Sequence, residues 1–104
     1  MKYPRLRKVR FRGFEELAQT IMQYLTKYGE VELRFGDGVS LVCDWNLGRC
    51  TWWYDHAYNY PDQQRVFPRN WYEFMLGVLK RKRNLREVIV SEYGEERHVI
   101  EIVG

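Results

Sequence analysis

The stretch EVELRFGDGVSLVCDWNLGRCTWWY, residues 30–54, decides the fold. Val31, Leu33 and Phe35 alternate with Glu32 and Arg34, the period of two that buries one face of a strand and leaves the other in water. Val39, Leu41 and Cys43 alternate with Ser40, Val42 and Asp44 in the same way. Between the runs stands Gly36-Asp37-Gly38, a three-residue loop with glycine at its left-handed position, which pairs Phe35 with Val39, Leu33 with Leu41 and Val31 with Cys43. Turn chemistry and face pattern agree on that register.

A four-residue loop, Trp45-Asn46-Leu47-Gly48, leads into a third run in which Cys50, Trp52 and Tyr54 share the core face. It sets Asp44 opposite Arg49, a cross-strand charge pair, and Cys43 opposite Cys50. A two-residue Leu47-Gly48 loop keeps the same face but pairs Trp45 with Cys50. The longer loop is preferred.

Working outward, Lys2 to Arg12 reads as an edge strand with Val9 and Phe11 inward and Lys8, Arg10 and Arg12 outward. Charge on an edge also guards against pairing with another chain. From Phe14 to Tyr28 the apolar positions Phe14, Leu17, Ala18, Ile21, Met22, Tyr24, Leu25 and Tyr28 form one helical stripe, ended by Gly29. Residues 55–69 lack periodicity, and Tyr58, Tyr60 and Phe67 give this long loop side chains for its own packing. Asn70 and Glu73 form a capping-box pattern that opens a second helix, running to Arg83, with Trp71, Phe74, Met75, Val78 and Leu79 as its buried stripe. Glu87 to Tyr93 and Arg97 to Val103 close the chain as a hairpin apolar on both faces, which places them inside the sheet.

The expected fold is a single α+β domain in the order β-α-β-β-β-α-β-β, an antiparallel-dominated sheet with two helices packed on one face. The order α-β-β-β-α from Phe14 to Arg83 resembles that of the double-stranded RNA-binding domain. The resemblance is one of order alone: the loop between the first two strands is Gly36-Asp37-Gly38, and the basic run closes the last helix instead of opening it. No residue roles are carried over from it.

With 104 residues, 45% hydrophobic and 30% charged, the chain has the balance of one folded domain and not of a disordered segment. No apolar run approaches the roughly 18 residues of a membrane span, and the N-terminus lacks the apolar segment of a signal peptide. A cytoplasmic protein without a membrane partner is expected. Two cysteines are too few for a disulfide framework and are not spaced as a zinc ribbon, so they read as buried thiols. If they face one another across the hairpin, a disulfide is sterically possible, and inside a cell it would hint at a hyperthermophilic source.

Charge is segregated. Lys2, Arg5, Arg7, Lys8, Arg10 and Arg12 form one block without an acid, and Lys80, Arg81, Lys82, Arg83 and Arg86 form another. Eleven of the seventeen basic residues lie in these two segments, leaving six to face fourteen acids. Such blocks suit a polyanion. On the outward face of the meander Arg34, Ser40 and Trp53 fall in line, and a tryptophan beside an arginine can stack on a base.

The leading expectation is a small non-catalytic nucleic-acid-binding protein, with Lys8, Arg10, Arg12, Lys80, Arg81, Lys82 and Arg83 on phosphates and Trp53, flanked by Arg34 and joined by a loop tyrosine, stacking on bases or rimming the contact. A structural module that forms a homodimer through its aromatic face is the alternative. A third reading pairs His56 and His98 as base and acid in metal-independent RNA cleavage. A metal held by Cys43, Cys50 and His56 or His98 fits no standard spacing, and the tyrosines Tyr54, Tyr58 and Tyr60 beside His56 suit packing better than nucleophilic chemistry. No cofactor and no metal are expected.

Overall fold

Seven strands hydrogen-bond into one sheet in the computed structural model, which describes residues 6–54, 64–92 and 95–103, with side chains described for 10–53, 64–91, 100 and 102. The strands are β1 (Leu6–Arg10), β2 (Glu30–Phe35), β3 (Val39–Asp44), β4 (Arg49–Tyr54), β5 (Arg65–Val66), β6 (Leu85–Glu92) and β7 (Glu95–Val103). Two helices, α1 (Phe14–Tyr28) and α2 (Trp71–Arg81), separate them. Across the sheet the order is β1-β7-β6-β2-β3-β4-β5, antiparallel throughout except that β1 runs parallel to β7.

The meander has the register that its turns demand. Leu33 pairs with Leu41 and Val31 with Cys43 across the first hairpin, and Gly38 takes a φ of 81°, a left-handed conformation in which a side chain would be strained. The second hairpin uses the four-residue loop, with Asp44 opposite Arg49, Cys43 opposite Cys50 and Gly48 at φ 68°. Asp44 also accepts a hydrogen bond from the Leu47 backbone N–H at 3.0 Å, which shapes the loop from its first residue.

Cys43 and Cys50 are fully buried and joined as a disulfide, not the pair of thiols expected from the sequence. The cross-strand register sets their Cα atoms 4.0 Å apart, directly opposite one another in the ladder. Both sulfurs are thereby withdrawn from metal ligation.

Several boundaries differ from expectation, the first being β1, which ends at Arg10 and not at Arg12 because pairing with β7 stops at Val103. Within the segment read as an unbroken loop, Arg65 and Val66 pair with Thr51 and Cys50 as a short edge strand, held further by the Trp52 N–H donating to the Gln64 carbonyl at 2.9 Å. Two residues are too few to show a period. Helix α2 ends at Arg81, not Arg83: Lys82 is extended at φ −112°, and its N–H caps the Val78 carbonyl at 2.8 Å. The chain must leave the helix there because the Asn84 carbonyl accepts from the Gly36 N–H at 2.8 Å, starting the β6–β2 ladder. The closing strands begin at Leu85 and Glu95, two residues before the expected Glu87 and Arg97, since backbone pairing continues past the continuous apolar run.

Helix α1 begins at Gly13 without a side-chain cap and ends as expected at Gly29, whose N–H donates to the Leu25 carbonyl at 2.9 Å. Asn70 caps α2, its Oδ1 accepting from the Glu73 N–H at 3.1 Å. Leu17, Ala18, Ile21 and Leu25 from α1 meet Met75, Val78 and Leu79 from α2 over Val31, Leu33, Leu41, Val88, Val90 and Ile100 of the sheet. Trp52 lies half-buried at this layer's margin, 6.2 Å from the Phe35 ring. Ile89 is buried on the opposite face, as befits a strand with neighbours on both sides. No helix among the described residues is long and apolar enough to cross a membrane.

Glu30 is a carboxylate of the sheet held away from its ordinary titration. It stands opposite Asp44, and burial followed by repulsion from Asp44 and Glu32 raises its pKa above the ordinary 4.5, with a Ser91 hydrogen bond opposing. The unfolded chain therefore ionises this carboxyl at lower pH than the folded protein does. Stability falls as pH rises through that window, because the folded state holds the proton longer.

Two predictions follow from this packing. Leu41→Ala empties a fully buried site and should cost about 2–5 kcal/mol in urea unfolding; a change under about 0.5 kcal/mol would mean that the face is not core. Glu30→Gln should raise the melting temperature at pH 7 and leave it nearly unchanged at pH 4, where the wild-type carboxyl is protonated in the folded state.

Candidate functional site

Strand direction decides where the charges go. β1 ends with Arg10 beside Val103, the last residue of β7, and the chain turns through Arg12 into α1. β6 starts at the same end of the sheet, with Leu85 opposite Phe35, immediately after α2 has delivered Lys80 to Arg83. The two basic blocks are thus brought together by topology. The opposite end of the strands collects acids: Glu30 opposite Asp44, and Glu92 opposite Glu95 where β6 ends and β7 begins. Helix α2 spans the two, with Glu73 in its first turn and Lys80 and Arg81 in its last, the orientation its dipole favours.

Between the blocks lies a cavity of about 340 Å³ at the junction of β1 with α1 and of α2 with β6. Its walls are Leu17, Leu79, Leu85 and Ile102 with the rings of Phe11 and Phe14, and Arg12, Lys82 and Arg83 bring cations to it from both blocks. Among the described residues no carboxylate lines it.

The cations differ in how they are held. Lys82 Nζ donates to Asp37 Oδ2 at 2.6 Å and lies 5.1 Å from the centre of the Phe35 ring, tying the end of α2 to the β2–β3 turn. That hydrogen bond, assisted by the Lys82 charge, holds the Asp37 carboxyl below the usual carboxylate range, although Asp37 is exposed. Arg83 lies over the Phe14 ring with its guanidinium carbon 5.7 Å from the centre, and its Nε reaches the Lys80 carbonyl at 3.4 Å. Arg86 crosses the β2–β3 turn so closely that a Cβ on Gly36 would stand 2.8 Å from its Nε. Among the described residues, Arg10, Arg12, Lys80, Arg81, Arg83 and Arg86 form no salt bridge.

Arg34 and Trp53 sit elsewhere, on the face of the sheet away from the helices. The line Arg34, Ser40, Trp53 exists as expected, with Ser40 paired to both. Trp53 is 45% exposed. Arg34 is engaged by acids: its Nε donates to Glu32 Oε2 at 2.9 Å, and Nη1 approaches Glu87 Oε1 at 3.9 Å. Lys8 stands opposite Glu101 in the register of the outer strands. The structure therefore joins Arg12, Lys82 and Arg83 in one place, with Lys80 and Arg81 one turn away, and separates them from Arg34 and Trp53.

His98 pairs with Val90 in the β6–β7 ladder, while His56 and the tyrosines Tyr58 and Tyr60 lie outside the described residues. Among the described residues no group of three His, Cys, Asp or Glu side chains could hold a metal ion. Phe11 and Phe14 pack against the core, as the sequence reading had them, and they also line the cavity, which that reading did not foresee. A signal was present, since Phe11-Arg12-Gly13-Phe14 sets two rings around a basic residue where a strand gives way to a helix. No family model, curated protein or solved structure matches the chain.

Proposed function

We propose that this protein is a small non-catalytic nucleic-acid-binding domain whose phosphate contacts are made at the basic end of the sheet. The observation that carries the reading is the convergence of Arg12 with Lys82 and Arg83 at one cavity, although the two blocks are distant in sequence. Isolated surface cations contribute about 0–1 kcal/mol each to stability, so gathering them at one end, Arg12 and Arg83 without a salt bridge among the described residues, gains the fold little. A polyanion would neutralise them and release its counterions. Arg10, Arg12, Lys80, Arg81 and Arg83 are the principal phosphate ligands in this reading. Lys82 contributes less while Asp37 holds it, and Arg34 less while Glu32 and Glu87 engage it. Trp53, at the same end of the strands but on the outer face, serves a base of a single strand that wraps round the sheet.

The salt dependence of binding tests this. Log affinity against log salt should fall with a slope near −0.9 per duplex phosphate contacted, or about −0.7 on a single strand, and four or more contacts are expected. Replacing Lys80, Arg81, Lys82 and Arg83 with Gln should flatten that slope and weaken binding alike for all sequences, and Arg12→Gln should do so in proportion to its single charge. Trp53→Ala should weaken single strands more than duplexes. Absence of binding to RNA and DNA at low salt overturns the reading.

A second reading is homodimerisation through the helix-free face, favoured by the exposure of Trp53 next to the buried Ser40 and half-buried Val42. Sedimentation should then show a dimer that dissociates in Trp53→Glu. A monomer at every concentration rules it out.

A further inference from the structure

We propose that the cavity between the basic blocks is a binding site for a small amphipathic carboxylate, a molecule with an apolar body and one anionic head. Three features select this class. The volume, about 340 Å³, falls at the lower end of the roughly 300–1,000 Å³ typical of small-molecule sites. The walls from Leu17, Leu79, Leu85 and Ile102 offer hydrocarbon without a side-chain polar group, so they favour an apolar body over a nucleobase, whose edges would go unpaired. Every charged residue among the described lining is a cation, which disfavours amines and places a carboxylate at the mouth.

The cations are unequal there too. Lys82 is engaged by Asp37, so the head group falls to Arg12 and Arg83, which form no salt bridge among the described residues. Arginine suits the task, since its planar fork receives a carboxylate through two parallel hydrogen bonds. Arg83 is already oriented by the Phe14 ring and the Lys80 carbonyl, so less freedom is lost when it closes on an anion. Arg12 approaches from the β1–α1 junction, and the head would be clasped between the two elements that the cavity separates.

This site would exist whether or not the protein binds nucleic acid, and its test uses none. Titration of the full chain with 1-anilinonaphthalene-8-sulfonate, an apolar fluorescent anion, should give saturable enhancement at one site. Decanoate should displace the dye, and decanol, with the same chain and no charge, should do so at least about tenfold less well. Arg12→Gln and Arg83→Gln should each weaken decanoate about tenfold, the loss expected for one charge-assisted hydrogen bond, and the double variant more. Both residues are exposed, so the variants should melt as the wild type does, and Arg49→Gln at the far end of the sheet should bind normally. Methyl NMR shifts on adding decanoate should centre on Leu17, Leu79 and Leu85. Non-saturable dye binding, equal displacement by decanol, or unchanged decanoate affinity in the double variant would each overturn the proposal.

Discussion

Enclosure of Val31 and Leu33 beneath α1, with β3 on one side of β2 and β6 on the other, is the contact on which the remaining structure depends. Neither residue retains any exposure, and burying a side chain of that size contributes about 1.5–3 kcal/mol. The constraint is also one of register. A slip of one residue would turn Glu32 and Arg34 into the helix layer, and an ion pair taken out of water costs several kcal/mol per charge unless its geometry compensates. Once β2 is set, Leu41 follows opposite Leu33, Trp52 opposite Leu41, and Cys50 opposite Cys43.

The same strand directions create the electrical polarity of the molecule. Because β1 runs parallel to β7 and β6 runs against it, the exit of β1 and the entry of β6 fall at one end of the sheet. Each carries a basic segment. Like charges gathered there repel, and the fold offsets the repulsion at two points: Asp37 takes up Lys82, and Glu32 with Glu87 takes up Arg34. Of the cations lining the cavity, Arg12 and Arg83 form no salt bridge among the described residues, and they are the pair that both a phosphate chain and a small carboxylate would need. The two ligands would therefore exclude one another.

Much of the fold was legible because its decisive signals are local. The hairpin loops specify their own geometry through glycine at positive φ, Asn70 and Gly29 mark helix ends through bonds to residues three or four positions away, and alternation names the buried face. What escaped had no local signature. β5 is two residues held by a neighbour's ladder, and α2 stops short because the Asn84 carbonyl is needed by Gly36 of a distant turn.

The sequence by itself determined the two helices and six of the strands, the inward face, the register of the first hairpin and the existence of two basic blocks, since each depends on residues close together in the chain. Only the tertiary structure decided that the thiols are bonded, because loop length left two cross-strand partners open for Cys50. It also decided that Arg12 meets Lys82 and Arg83 while Arg34 and Trp53 lie on another face. That outcome rests on the parallel β1–β7 pairing, a long-range contact which no periodicity records and which fixes the end of the sheet where each block emerges.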